Sequence, residues 1–237
     1  MNESADPKLT RSSFQKGLDD LKDSLTGMSR KAEEAVELAV DGYRSRDSTK
    51  CRAVFELERQ TNEDERAIDE IAIDLLAMQQ PVAVDLRFIT ACMKINADLE
   101  RVGDQAVNIA QRALNALTLP VASLPIDMER MGNTVAGMIR RALDAFVCGD
   151  ADLADAVLGM DDLVDRLNGD CYSSMVRKMK ESPEFAEQAL DALLISRNLE
   201  RVADHATNIA EDVIYWVRGT DVRHGFAAKK LRSMQQP

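Results

Sequence analysis

The chain has 237 residues, 45% apolar and 30% charged, with 41 acids against 30 bases and a formal net charge of -11. That balance describes a soluble globular protein large enough for a core of its own, and its acidity excludes nucleic-acid backbone binding as the main task while favouring cations or basic partners. With no leader-like N-terminus and no run of about 18 apolar residues, a cytoplasmic protein without membrane insertion is expected. Aromatic residues are scarce at 4%, which predicts an aliphatic core. Cys51, Cys92, Cys148 and Cys171 lie far apart without a CxxC pair and read as small buried thiols.

Residues 1–11 read as a flexible arm. Phe14, Leu18, Leu21, Leu25 and Met28 then step by three and four, and Ala32, Ala35, Val36, Ala39 and Val40 continue the pattern. This predicts a long first helix to about Arg46, with Asp47 or Ser48 able to cap the next. The second helix carries Val54, Leu57, Ile68, Ile71 and Leu75 and stops before Pro81, because a proline disfavours helical geometry in the residue preceding it. A third runs from about Val82 to Leu117. The loop with Pro120 and Pro125 marks a boundary, after which the order recurs: a fourth helix from about Ile126 through Met131, Val135, Met138 and Ala142, a fifth after Gly149 and Asp150, and a sixth after Pro183.

The expected fold is all-α, two similar three-helix bundles over residues 12–119 and 126–219, with sequential helices as antiparallel neighbours. Residues 220–237 form a tail whose basic end, AAKKLRSMQQP, reads as a frayed terminus. The 11 methionines are accounted for by core filling.

The most specific feature is a repeat. From Asp98 the chain reads DLERVGDQAVNIAQR and from Asn198, one hundred positions later, NLERVADHATNIAED, with nine identities in the same register. On a helical wheel Ile95, Leu99, Val102, Ala106, Ile109 and Ala113 form one stripe, while Glu100, Asp104 and Asn108 form another on the opposite side. Glu200, Asp204 and Asn208 repeat the arrangement. The acids are therefore expected on the outer surface of their helices, away from the apolar seam.

Like charges at i and i+4 cost only about 0.2–0.5 kcal/mol, so the bland account is solvated acids, paired to Arg101 and Arg201 or to a neighbouring helix. The sharper account is a divalent or ferric cation held by carboxylate oxygens. Such a site needs acids from a facing helix. Asp161 and Asp165 supply them in the second half, whereas Glu58 and Asn62 occupy the comparable place in the first, so the second half looks better equipped.

Enzyme signatures are missing. The only histidines, His205 and His224, do not follow a Glu by three residues as a di-iron carboxylate oxidase requires. Phosphate-binding and nucleophile-elbow motifs are also absent. His205 follows Asp204 but diverges from it by about 100° on the helix, which favours an ordinary surface or interhelical histidine over a metal ligand.

At LERVGD and LERVAD, each followed by an xAxNIA segment, the chain resembles the PhoU family, with MQQPVAVDLRFI and WVRGTDVRH extending the likeness over most of its length. The resemblance implies two three-helix bundles related by pseudo-twofold symmetry and a non-enzymatic regulator of phosphate homeostasis. It would restrain high-affinity phosphate uptake and the phosphate-starvation response through the ATPase subunit of the phosphate ABC transporter and a sensor histidine kinase. The family's metal motif, associated with iron, zinc or other divalent ions such as magnesium and manganese, falls on Glu100 and Asp104, on Glu200 and Asp204, and on Asp161 and Asp165. At the fourth place Glu58 is followed by the neutral Asn62. The alternative is a carboxylate-based metal-storage bundle, and self-association into a homodimer through exposed helix faces is compatible with either.

Overall fold

The computed structural model describes residues 7–79 and 81–222. His224 and the basic tail lie outside the described residues. Seven α-helices follow in order: α1 Pro7–Ser45, α2 Ser48–Gln79, α3 Ala83–Thr118, α4 Met128–Cys148, α5 Ala151–Leu158, α6 Asp161–Glu181 and α7 Ala186–Arg218, with a short 3-10 turn at Pro183–Phe185 before the last. The first helix opens at Pro7, within the segment assigned above to the N-terminal arm. No strand occurs among the described residues, and none of their helices is long and apolar enough to cross a membrane.

The local signals act as their chemistry dictates. Asp47 accepts hydrogen bonds from the backbone N–H of Thr49 at 2.8 Å and of Lys50 at 3.4 Å, so it is the acid that starts α2. Gly149 ends α4 with φ of +63°, a left-handed conformation that glycine adopts at no steric cost. Asp150 then accepts from the N–H groups of Asp152 and Leu153 at 2.9 and 3.0 Å to start α5.

The fifth helix expected from the sequence is two helices. The chain turns at Gly159 and Met160, and the restart places Asp161 and Asp162 in the first turn of α6, where negative charge meets the positive end of the helix dipole. Had the helix run through, both acids would lie mid-helix without that stabilisation.

Helices α1, α2 and α3 pack together as one bundle, and α4 through α7 as the other. The predicted apolar stripes form the core: Ile95, Leu99, Val102, Ala106, Ile109 and Ala113 are fully buried, as are Ile195, Leu199, Val202, Ala206 and Ile209. The core is not purely aliphatic. Phe88 and Phe146 stack with centroids 5.8 Å apart, and Trp216 lies tilted across them at 4.9 and 5.7 Å, joining α3, α4 and α7. Cys51, Cys92 and Cys171 are buried as expected, whereas Cys148, at the exposed last turn of α4, is not.

The most extensive helix pair, α3 with α7, joins the two bundles, and α1 with α4 reinforces it. Polar pairs fix the α3–α7 register. Lys94 meets Asp212 at 2.9 Å, Asn208 donates to Asp98 at 3.2 Å, and Asn115 donates to Asp191 at 2.7 Å. These three pairs describe one antiparallel register, in which Gly103 of the first copy and Ala203 of the second lie opposite each other. The duplicated motif thus straddles a pseudo-twofold axis. Between α1 and α4 the approach is close: a Cβ built on Gly132 would sit 2.7 Å from Val40 Cγ1.

Candidate carboxylate site

Each copy of the repeat is oriented by a hydrogen bond one helical turn before its glutamate. Four residues ahead of Glu100, the buried Asn96 donates from Nδ2 to the carbonyl of Glu65 at 2.9 Å and to Asp69 Oδ1 at 3.0 Å. Four residues ahead of Glu200, the fully buried Ser196 donates from Oγ to Asn168 Oδ1 at 2.8 Å. These bonds hold α2 against α3 and α6 against α7 in the register that brings the acids of each pair of helices together.

In the second half, Glu200 and Asp204 of α7 face Asp161 and Asp165 of α6. Asp161 is buried at 8% exposure, Glu200 and Asp165 are half-buried, and Asp204 is exposed. The Asp204 carboxyl is nevertheless pushed up to about 6. Loss of hydration beside packed protein is the largest cause, followed by the charges of Glu200, Asp161 and Asp165, while His205 opposes the rise. The four acids anticipated from the sequence therefore do act on one another.

In the first half, Glu100 is half-buried and its carboxyl is raised by burial, then by Asp104, Glu65 and Glu58, with Arg101 pulling the other way. This corrects two expectations. Glu100 and Glu200 do not stand on a free outer surface, since the side of the helix opposite the apolar seam is flanked by α2 or by α6. The first half is also better supplied than expected: Asn62 donates to Glu58 at 2.6 Å, but Glu65, one turn further along α2, joins Glu58, Glu100 and Asp104. The signal for Glu65 was present in its spacing, because residues 58, 62 and 65 share one helical stripe.

All-oxygen carboxylate sets suit hard cations, and both patches have that chemistry. Their oxygens do not converge, however: among the described residues no three Asp, Glu, His or Cys side chains surround a common point at ligand distance. His205 is engaged elsewhere, its Nδ1 lying 2.8 Å from Asp98 Oδ1 across the α3–α7 seam, so of the two expected roles, surface or interhelical, it takes the interhelical one. Asp98 itself was not singled out by the sequence, because nothing along one helix tells which acid its partner helix will bring to a histidine.

Comparison with known proteins places these features in context. The PhoU domain family model matches residues 25–113 and 128–213, once in each half. The chain is 40% identical over 212 residues to the phosphate-specific transport system accessory protein PhoU homolog of Pseudomonas aeruginosa, covering 89% of this chain and 88% of that protein. It is 31% identical over 211 residues to the phosphate-specific transport system accessory protein PhoU of Escherichia coli, with 89% and 88% covered. Among solved structures, it superposes on PhoU from Pseudomonas aeruginosa with a TM-score of 0.83 at 39% identity, covering 87% of this chain and all of that one. The phosphate transport system regulatory protein PhoU from Streptococcus pneumoniae gives 0.81 at 28% identity, with 88% and 99% covered.

Proposed function

From the premise that this chain belongs to the PhoU family, we propose that it is a regulatory accessory protein of phosphate transport which lowers high-affinity uptake and the phosphate-starvation response when phosphate is plentiful. The observation that carries this reading is the double match: both halves fit the family model, and both place the repeated acids against a facing helix. Docking on the ATPase subunit of the phosphate transporter and on the sensor kinase is the route by which it would act.

The carboxylate patches would serve this role as cation sites. Glu200, Asp204, Asp161 and Asp165 would hold one metal ion or cluster, and Glu100, Asp104 and Glu58, with Glu65, a second. A bound cation neutralises repelling acids and cross-links two helices, which fixes the surface that a partner meets. Metal storage, the alternative use of the same acids, would need many ions per chain rather than one or two per patch.

Deleting the gene tests the regulatory reading directly. Phosphate-starvation genes should become active in phosphate-rich medium, and phosphate uptake should rise. Unchanged expression and uptake in a strain without a second copy would refute it. Metal content of untagged protein, measured with and without Asp161→Ala, Asp165→Ala, Glu200→Ala and Asp204→Ala, separates the two uses of the acids: loss of one or two bound ions supports the regulatory site, loss of many ions per chain supports storage, and metal content that the replacements leave unchanged removes these acids from either use.

A further inference from the structure

Between the two bundles, beneath the linker 119–127, lies a cleft of about 350 Å³, a size that accommodates a small organic ligand. It opens where α1 ends, α4 begins and α7 begins, far along the helices from the carboxylate patches. Its walls differ in character. Pro120, Val121, Leu124 and Ile126 supply an apolar side, and Tyr43 and Arg46 supply polar groups.

Arg46 carries its guanidinium into this cleft on a left-handed residue, φ +54°, that ends α1. Its hydrogen bonds go to three backbone carbonyls at the end of α3: Ala116 at 3.2 Å, Leu117 at 2.9 Å and Leu119 at 3.0 Å. Three of five N–H donors are so used, one on Nη1 and both on Nη2, which leaves Nε–H and the second Nη1–H, each able to meet an acceptor singly. Two acids stand at the rim. Asp127 caps α4 by accepting from Arg130 N–H at 3.0 Å, and Glu129 pairs with Arg44 at 3.3 Å. Burial, with Cys171 and Asp191 nearby, pushes the Tyr43 phenol up to about 12, so it stays a neutral hydroxyl able to donate.

We propose that this interbundle cleft binds a small organic oxyanion with an apolar body, its carboxylate, sulfonate or phosphate ester on Arg46 and Tyr43 and its body against Leu124 and Ile126. Because the linker forms the apolar wall and Arg46 ties α1 to α3, an occupant bridges the two halves at the one place where the chain passes from one to the other.

The test uses the full chain and anilinonaphthalene sulfonate, a probe with an anionic head and an apolar body. Saturable binding of one probe per chain is expected, at least tenfold weaker in Arg46→Gln and several-fold weaker in Tyr43→Phe and Leu124→Gln. The uncharged phenylnaphthylamine analogue should bind at least tenfold more weakly than the sulfonate. Circular dichroism confirms that each variant is folded, and if Arg46→Gln is not, Tyr43→Phe, Leu124→Gln and the uncharged probe decide the matter. Fluorescence that rises without saturation, equal affinity in the folded variants, or equal affinity for the uncharged analogue would each overturn the proposal.

Discussion

Replacing Asp204 with Asn should remove a pH dependence that the second carboxylate patch imposes on stability. The folded-state value of about 6 lies above the ordinary 3.8, so between these limits the folded chain keeps a proton that the unfolded chain has released. The contribution is complete below 3.8 and is lost as pH rises through about 6. For a side chain this open to solvent, screening reduces the loss to about 1 kcal/mol. Urea unfolding at a series of pH values from about 4.5 to about 7.5 reads it, since these span the titration. The parent chain should lose about 1 kcal/mol relative to Asp204→Asn over that interval, leaving the variant the more stable at neutral pH. Parallel profiles would refute the view that loss of hydration and the neighbouring carboxylates raise the Asp204 carboxyl. The same pair of proteins tests the cation site. At one hundred times its dissociation constant, a binding cation adds about 2.7 kcal/mol to the parent, and a chelator reverses the gain. Equal stabilisation of parent and variant would remove Asp204 from the site.

Further substitutions probe the frame that holds the patches. Phe146→Ala, at a fully buried ring stacked on Phe88 and tilted against Trp216, should cost about 3–5 kcal/mol in denaturant unfolding, and a loss below about 1 kcal/mol would contradict its place in the core. Gly132→Ala should cost about 1–3 kcal/mol, because its Cβ would lie 2.7 Å from Val40, while the same change at the open position Gly137 should be neutral or stabilising. Asp47→Ala should lower stability by about 1 kcal/mol through loss of the α2 cap, and Asp47→Ser should restore most of it; equal melting of all three proteins would deny the cap.

Most of the fold was legible because each helix carries its own instructions. The stripe from Ile95 to Ala113, the acid Asp47, the stop before Pro81 and the glycine at 149 each act within a few residues of themselves. What escaped notice depends on two helices at once. The break at Gly159 trades helical continuity for a dipole contact with Asp161 and Asp162, and no apolar spacing announces it. Glu65 enters the first patch only because α2 turns that stripe toward Glu100. Phe88, Phe146 and Trp216 come from three helices, so their scarcity in composition concealed their concentration at one junction. Asp98 found His205 across the seam for the same reason. Sequence spacing gives the faces of a helix, whereas the rotation of one packed helix against another decides which faces meet.

The axis between Gly103 and Ala203 bears on how the two halves are free to differ. In a dimer of identical half-chains every substitution is made twice, so a side chain that suits one subunit must be tolerated at the same place in the other. Here the halves are one polypeptide, and each change is made once. Asp98 has His205 and Asn208 opposite it, whereas its counterpart Asn198 has Gln105 and Asn108 at the equivalent positions, so the seam carries this contact on one side only. The same freedom has let Asn62 stand where the other half keeps Asp165. Covalent fusion thus turns two copies of one carboxylate patch into a pair whose composition can be set separately, an option that a symmetric assembly of the same helices does not have.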